Sequence, residues 1–135
     1  MILVDTSVWV EVFRKQRPLD LESLVAFDEL VVCLPIVQEI LQGIGDEARY
    51  RVARDALLSM PIIESPMEDD LFVEAAQLFR AARRAGPTVR SGVDCVIAAC
   101  AIRHDVTILH NNRDFTALAT VSALKTRRTG RSPTS

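Results

Sequence analysis

Three acidic residues, Asp5, Glu39 and Asp94, are each the only charged side chain within a long apolar stretch of this chain. The stretches are MILVDTSVWV, VVCLPIVQEILQGIG and VDCVIAACAI. Burying an ionised carboxylate without a partner is strongly unfavourable, and few basic residues lie nearby in the sequence. Together with a fourth acid, Asp114, these residues predict a fold in which the carboxylates share one cation.

Short apolar runs alternate with helical patterns along the chain. Predicted strands cover Ile2–Val4, Leu30–Leu34, Pro61–Glu64 and Val106–Leu109. Strands that alternate with helices indicate an α/β fold, with a parallel sheet covered by helices on both faces. Without internal repeats or a linker, the chain is expected to form one domain.

Residue patterns and capping signals define the predicted helices. They run from Thr6 or Ser7 (either able to cap) to Phe13, over 19–29, from Pro35 to about Gly43, over 46–60, from Pro66 to Gly86 behind a Ser65–Glu68 capping box, over about 93–103, and over 114–119.

The bulk composition excludes several classes of protein. A hydrophobic content of 49% against 25% charged residues, in 135 residues, fits one globular domain rather than a disordered chain. An apolar run of about 20 residues is absent, and the start lacks a basic region, so a cytosolic protein is expected. Cys33, Cys95 and Cys100 have no C-x-x-C spacing, which favours buried structural thiols over a disulfide framework or a zinc site.

Basic residues are unevenly distributed in a chain of net charge -2. Six arginines lie between positions 80 and 113, and the segment 125–135, KTRRTGRSPTS, is a basic tail that we expect to be disordered. Two interpretations are equally supported by charge alone. The arginines either form ordinary solvated helix faces or collect phosphates around the acids.

The four acids should meet at one edge of the sheet. Asp5 directly follows the first strand, Asp114 follows the last one through a short turn, and Glu39 lies one helical turn beyond the second. Asp94 lies in the first turn of the central helix, where a negative charge interacts favourably with the helix dipole. Ligands bind outside the carboxyl ends of parallel strands. Hard oxygen ligands without His or Cys suit Mg²⁺ or Mn²⁺ and phosphodiester hydrolysis. The competing structural interpretation is that Asp5 and Asp94 merely cap helices.

Three segments in this order resemble one family. MILVDTSVWVEVFR, PIVQEILQG and TVRSGVDCVIAACAIRHDVTILHNNRDF are similar to the PIN-domain ribonucleases, and more narrowly to the VapC toxins of bacterial toxin–antitoxin pairs. The resemblance covers residues 1–124, which we take as one PIN-like nuclease domain. It implies a three-layer α/β/α sandwich with about five parallel strands. It also implies Mg²⁺- or Mn²⁺-dependent endonuclease action on RNA, with a structured tRNA or ribosomal RNA as the expected target.

The resemblance also assigns roles to residues of the site. Asp5, Glu39, Asp94 and Asp114 match the acidic quartet that is both catalytic and metal-binding. Asn112 stands where members often carry a further acid, so one charge is missing and the sequence leaves open whether one metal ion or two bind. The hydroxyls of Thr6 and Ser7 match those that orient metal-bound water. The remaining expected contributors are Ser91, as a helper or a helix cap, and Arg90 and Arg113, as RNA phosphate contacts.

Two partners besides RNA are implied by the same resemblance. One is a second copy of the chain, in a homodimer. The other is a cognate VapB-type antitoxin, whose C-terminal segment crosses a groove on the toxin and presents a basic side chain to the acids. An apolar surface near Trp9, Val12 and Phe13 is the kind of groove required.

Two other functions compete with the nuclease. A haloacid-type phosphatase needs a second aspartate two residues after the first, where this chain has Ser7. A phosphorylatable receiver needs acids and a lysine that are not well placed here, and no P-loop occurs. The second alternative is a non-catalytic module that binds RNA or protein through a degenerate site, as the amide at Asn112 would allow. Metal binding and the effect of Asp94→Asn on cleavage distinguish it from the enzyme.

Overall fold

Four short strands form one parallel sheet in the computed structural model, which describes residues 1–86 and 89–130. The strands are β1 (Ile2–Val4), β2 (Leu30–Val31), β3 (Thr107–His110) and β4 (Lys125–Arg128), in the order β2-β1-β3-β4. Leu3, Ile108 and Leu109 are almost completely buried. The central strands are apolar throughout because both faces of a parallel sheet are covered.

In the described residues, six α-helices flank the sheet. They are α1 (Thr6–Val12), α2 (Leu34–Gln42), α3 (Glu47–Leu58), α4 (Asp69–Ala85), α5 (Gly92–Arg103) and α6 (Arg113–Thr120). Helix α5 buries residues all round its circumference, as its continuous apolar sequence predicts. The predicted α/β class is confirmed, and the three cysteines are buried and free.

The strand count and the C-terminal boundary differ from the sequence prediction. About five strands were expected, and the described residues form a four-stranded sheet. The predicted strand at 61–64 is reduced to a single bridge between Val32 and Ile62. Lys125–Arg128 form β4, so a disordered tail from residue 125 is wrong for these residues. An edge strand is solvated on one side and can be polar, so a search for apolar runs misses it. Residues 131–135 lie outside the described part of the chain.

Two helix predictions also need correction. The segment 19–29 forms two short 3-10 helices, Leu21–Ser23 and Phe27–Glu29, rather than one α-helix. The Ser65–Glu68 capping box is absent: Glu68 is itself the N-cap residue and makes no side-chain capping bond, and α4 begins at Asp69. The two aspartates in the first turn of α4 interact favourably with the helix dipole instead.

The carboxyl edge of the sheet positions the acidic residues. The Asp5 backbone N–H donates to the Leu109 carbonyl oxygen at 2.9 Å, which keeps the chain after β1 paired with β3. Asp5 therefore lies beside the turn between β3 and α6. Within the described part of the chain, no helix is both long and apolar enough to cross a membrane.

Candidate metal centre

Asp5 lies at the junction of β1 and α1 and is only 3% exposed. Its Oδ2 accepts hydrogen bonds from the Ser7 backbone N–H at 3.1 Å and from the Ser7 hydroxyl at 2.6 Å. Asp5, rather than Thr6 or Ser7, is thus the N-cap of α1. Capping uses one carboxylate oxygen and accounts for the local turn, but it supplies no positive charge for a buried acid.

Ser7 connects the ends of two strands. Its hydroxyl donates to Asp5 and accepts the Asn111 backbone N–H at 2.9 Å. Asn111 carries no signal in the sequence beyond its place directly after β3. The Oδ1 atom of Asn111 is buried and has no hydrogen-bond partner among the described residues. A buried acceptor of this kind ordinarily binds a donor, a water or an ion.

Glu39 is half-buried on α2 and is joined to α1 by a side-chain hydrogen bond. The Thr6 hydroxyl donates to Glu39 Oε1 at 3.0 Å. The hydroxyl groups of Thr6 and Ser7 were expected to orient water. Both instead donate hydrogen bonds to carboxylates. In this structure they position the acids.

Asp94 lies in the first turn of α5 and is 6% exposed. The Asn112 side-chain amide donates to Asp94 Oδ2 at 3.0 Å, and Asn112 Oδ1 accepts the Asp114 backbone N–H at 3.0 Å. Asn112 is thus the N-cap of α6 and a support for Asp94 at once. Asp94 is not the capping residue of α5. The interpretation that Asp5 and Asp94 merely cap helices therefore fails for Asp94.

Asp114 lies in the first turn of α6 and is 7% exposed. Its Oδ2 accepts the Arg90 backbone N–H at 3.0 Å. The side chains of Arg90, in the connection before α5, and of Arg113, at the start of α6, are exposed. Ser91 is the N-cap residue of α5 but makes no side-chain capping bond.

The acids act on one another electrostatically. Burial raises the pKa of Asp5, although hydrogen bonds from Ser7 oppose the rise. Burial raises the pKa of Glu39, and the charge of Asp5 adds to the effect. For Asp94, burial and then the charge of Asp5, with a further contribution from Asp114, raise the pKa to about 7. Each of the four predicted acids therefore lies close enough to another to repel it, at the carboxyl edge of the sheet.

The chemistry of this donor set fits a hard divalent cation. None of the four acids forms an ion pair with a Lys or Arg side chain in the described residues. Residues 1–86 and 89–130 contain no group of three or more His, Cys, Asp or Glu side chains arranged so that they already form a metal site. Mg²⁺ needs no such cage, because it keeps several waters and takes one or two carboxylates directly. Carboxylate oxygens suit hard ions such as Mg²⁺ and Mn²⁺ better than softer transition metals.

Comparison with known proteins places the chain in a family. The PIN domain model matches residues 2–121. The VapC ribonuclease Mb1587 of Mycobacterium bovis is 39% identical over 130 residues, which cover 93% of this chain and 96% of that protein. Ribonuclease VapC11 of Mycobacterium tuberculosis matches with the same identity and coverage.

The fold has relatives among solved structures. The VapBC2 complex from Rickettsia felis, bound to a promoter DNA fragment, matches with a TM-score of 0.73 and 18% identity, covering 95% of this chain and 98% of that chain. At this identity the likeness shows the fold alone. The chain belongs to the PIN-domain family. Within that family its sequence is similar to the VapC ribonucleases, which confirms the resemblance found in the sequence.

Proposed function

We propose that this protein is the toxin of a type II toxin–antitoxin system, a metal-dependent endoribonuclease that hydrolyses RNA phosphodiester bonds. One observation carries the proposal. The chain is 39% identical to VapC ribonucleases, and four acids lie at the carboxyl edge of its sheet. None of these acids has a cationic partner among the described residues. The expected substrate is a structured tRNA or ribosomal RNA, and the expected location is the cytoplasm.

Asp5, Asp94 and Asp114 are the residues that would hold Mg²⁺ or Mn²⁺, with Glu39 at the side of the site. When bound, a divalent ion lowers the pKa of a coordinated water and stabilises the charge that develops on the phosphate. Both polar groups of Asn112 are already used, one by Asp94 and one by the α6 backbone. This supports a site for a single ion.

The surrounding residues hold the carboxylates in place for that chemistry. Ser7 fixes Asp5, Thr6 fixes Glu39, and the Arg90 backbone N–H fixes Asp114. Catalytic groups act efficiently when other contacts lock their orientation before substrate arrives. Partial burial and the charge of Asp5 raise the pKa of Glu39, and a more basic carboxylate is a better acceptor for the proton of an attacking water.

Cleavage of total cellular RNA tests the proposal. The protein is incubated with EDTA, with Mg²⁺ and with Mn²⁺, and Asp94→Asn serves as the isosteric control. Discrete fragments that need metal and disappear in the variant are expected, and their ends identify the RNA target. Absence of cleavage by the folded parent protein, free of antitoxin, together with metal-independent RNA binding would establish the non-catalytic module instead.

A groove beside the acids suits the expected antitoxin. Two adjoining cavities of about 260 and 330 Å³ lie between α1, α2 and α3. We call them the α1–α3 groove; its apolar and basic lining includes Trp9, Val10, Phe13, Ile44, Arg49 and Val52. Thr6 and Glu39 line the end nearest the acids. A segment in this groove can therefore place a basic side chain against the carboxylates.

Mixing the purified cognate antitoxin with the protein tests this blocking arrangement. Cleavage should fall as the antitoxin is added, because a basic side chain at the acids competes with metal and RNA. A stable complex that cleaves RNA at the parent rate would overturn the blocking arrangement. Light scattering on the free protein measures the expected homodimer, and a monomer over the working concentration range would exclude it.

A further inference from the structure

Three exposed arginines lie near the β3–α6 connection, on segments that do not line the α1–α3 groove. They are Arg90, Arg113 and Arg128. None of them forms an ion pair with a described residue. Arg128 belongs to the segment expected to be a disordered tail, and the structure places it at the end of β4.

Each of the three is linked to the acids through a short series of interactions. The Arg90 backbone N–H binds Asp114 directly, and Arg113 precedes Asp114 in α6. Arg128 pairs in register with His110 of β3, whose Nδ1 accepts the Asn112 backbone N–H at 3.1 Å. Burial and then the charge of Arg128 lower the pKa of His110 to about 4, so this arginine acts electrostatically at the same turn.

Several other basic side chains have partners within the described part of the chain. Arg103 binds Glu64, Asp70 and Glu74. Next to Arg128, the Arg127 side chain donates to the Leu24 carbonyl oxygen at 2.6 Å, and Lys125 pairs with Asp105 at 2.7 Å. On β4, therefore, the arginine closest to the carboxyl edge is the one left available to bind a ligand.

RNA must overcome repulsion to reach this site. The chain carries a net charge of -2, and its acids cluster where the scissile phosphate has to lie. The overall field of the protein therefore does not attract a polyanion, and local cations have to do so. The sheet order β2-β1-β3-β4 separates the two flanks, with the apolar groove at α1–α3 and the arginines at α6 and β4.

We propose that Arg90, Arg113 and Arg128 form a phosphate-binding surface that carries the RNA backbone into the acidic site across α6 and β4. This inference rests on the proposed ribonuclease function and names the side from which the substrate approaches. Arginine suits the role because its planar, permanently charged group binds phosphate oxygens through two hydrogen bonds.

Binding of a fluorescein-labelled single-stranded RNA of about 20 nucleotides, measured by anisotropy over a range of salt concentrations, tests the surface. The measurements use the Asp94→Asn background with Mg²⁺, so that RNA stays intact. Removing one arginine that binds a phosphate should reduce the slope of log affinity against log salt by about 0.7. Replacing all three arginines by Ala should therefore reduce the slope by about 2 and weaken binding at low salt.

Arg51→Ala is the matched control, because Arg51 is an exposed arginine on α3 that pairs with Glu47. Its slope should equal that of the background protein. Arg128→Lys should keep most of the slope, since the charge remains. Circular dichroism verifies that each variant is folded.

The outcomes separate this surface from the proposed function. An unchanged slope in the triple variant overturns the surface even if the parent protein cleaves RNA. A reduced slope supports the surface even if the parent proves inactive in the cleavage assay. Unchanged RNA binding with abolished antitoxin binding would show that the arginines hold the antitoxin, and it overturns the proposal.

Discussion

Asp94 shows at the scale of one residue how burial and repulsion make a site depend on metal. Its pKa rises from the ordinary 3.8 to about 7 without metal, so the folded protein holds this proton more tightly than the unfolded chain does. The stability contributed by the protonated carboxyl is complete below about pH 4 and is lost as the pH rises through about 7.

We therefore expect the pH dependence of unfolding to change in Asp94→Asn. In EDTA, the melting temperature of the parent should fall relative to that of the variant as the pH rises from about 4 to 7. Mg²⁺ should reverse this fall in the parent alone. Comparing the two proteins removes the contributions of other groups, including His110, whose lowered pKa acts in the opposite direction. Parallel curves for parent and variant would contradict the assignment.

Asn112 is the second residue whose role is set by its contacts. In Asn112→Asp, the donor to Asp94 is removed and a carboxylate faces a carboxylate, so the metal-free protein should melt at a lower temperature. Mg²⁺ should raise the melting temperature by more than in the parent, because the new acid is a further ligand.

Asn112→Ala is the control for this effect. It loses the same donor and the α6 cap, which costs about 1 kcal/mol, but adds no ligand. Equal Mg²⁺-dependent shifts in the parent, Asn112→Asp and Asn112→Ala would show that position 112 does not affect the metal site.

At the scale of elements, Ser7 holds α1 against the β3–α6 turn. Ser7→Ala removes a donor to Asp5 and leaves the Asn111 backbone N–H without its partner. A buried group left unsatisfied costs about 1–3 kcal/mol, so the free energy of unfolding measured with urea should fall by this amount. Ser23→Ala, at an exposed 3-10 helix, should change it by less than about 0.5 kcal/mol. Equal losses in the two variants would mean that Ser7 does not join these elements.

At the scale of the whole molecule, the acidic site has two chemically different flanks. Val52 in the α1–α3 groove is 72% exposed. Val52→Asp should leave RNA cleavage intact but weaken inhibition by the antitoxin about tenfold or more, because a charge replaces an apolar contact. Arg128→Ala should do the reverse, slowing cleavage at low RNA concentration while inhibition stays normal.

Val73→Asp is the matched control for the groove. Val73 is 57% exposed on α4, outside the groove. Titrating antitoxin into the cleavage assay gives the inhibition constant for each variant. If Val73→Asp and Val52→Asp lose inhibition equally, the groove is not the antitoxin site.

Much of the central fold and site was predictable because local signals agree with the tertiary structure. Leu3 and Ile108 lie in buried parallel strands, which are apolar on both faces, so their sequence pattern is strong. Asp5 and Asp94 stood out because an acid in apolar sequence requires compensation. The four acids follow from topology, since parallel strands present their carboxyl ends at one edge.

The contacts between distant segments were decided only by the tertiary structure. The polar strand β4 becomes a strand because β3 offers it an unpaired edge, and this alone brings Arg128 beside His110. The hydroxyls of Thr6 and Ser7 could equally bind water or carboxylates until folding places Glu39 within reach of Thr6. The sequence by itself determined which residues must be compensated, because desolvation cost is a property of each group. Only the folded chain decided which neighbours provide the compensation, because hydrogen bonds and charge interactions depend on distances between residues far apart in sequence.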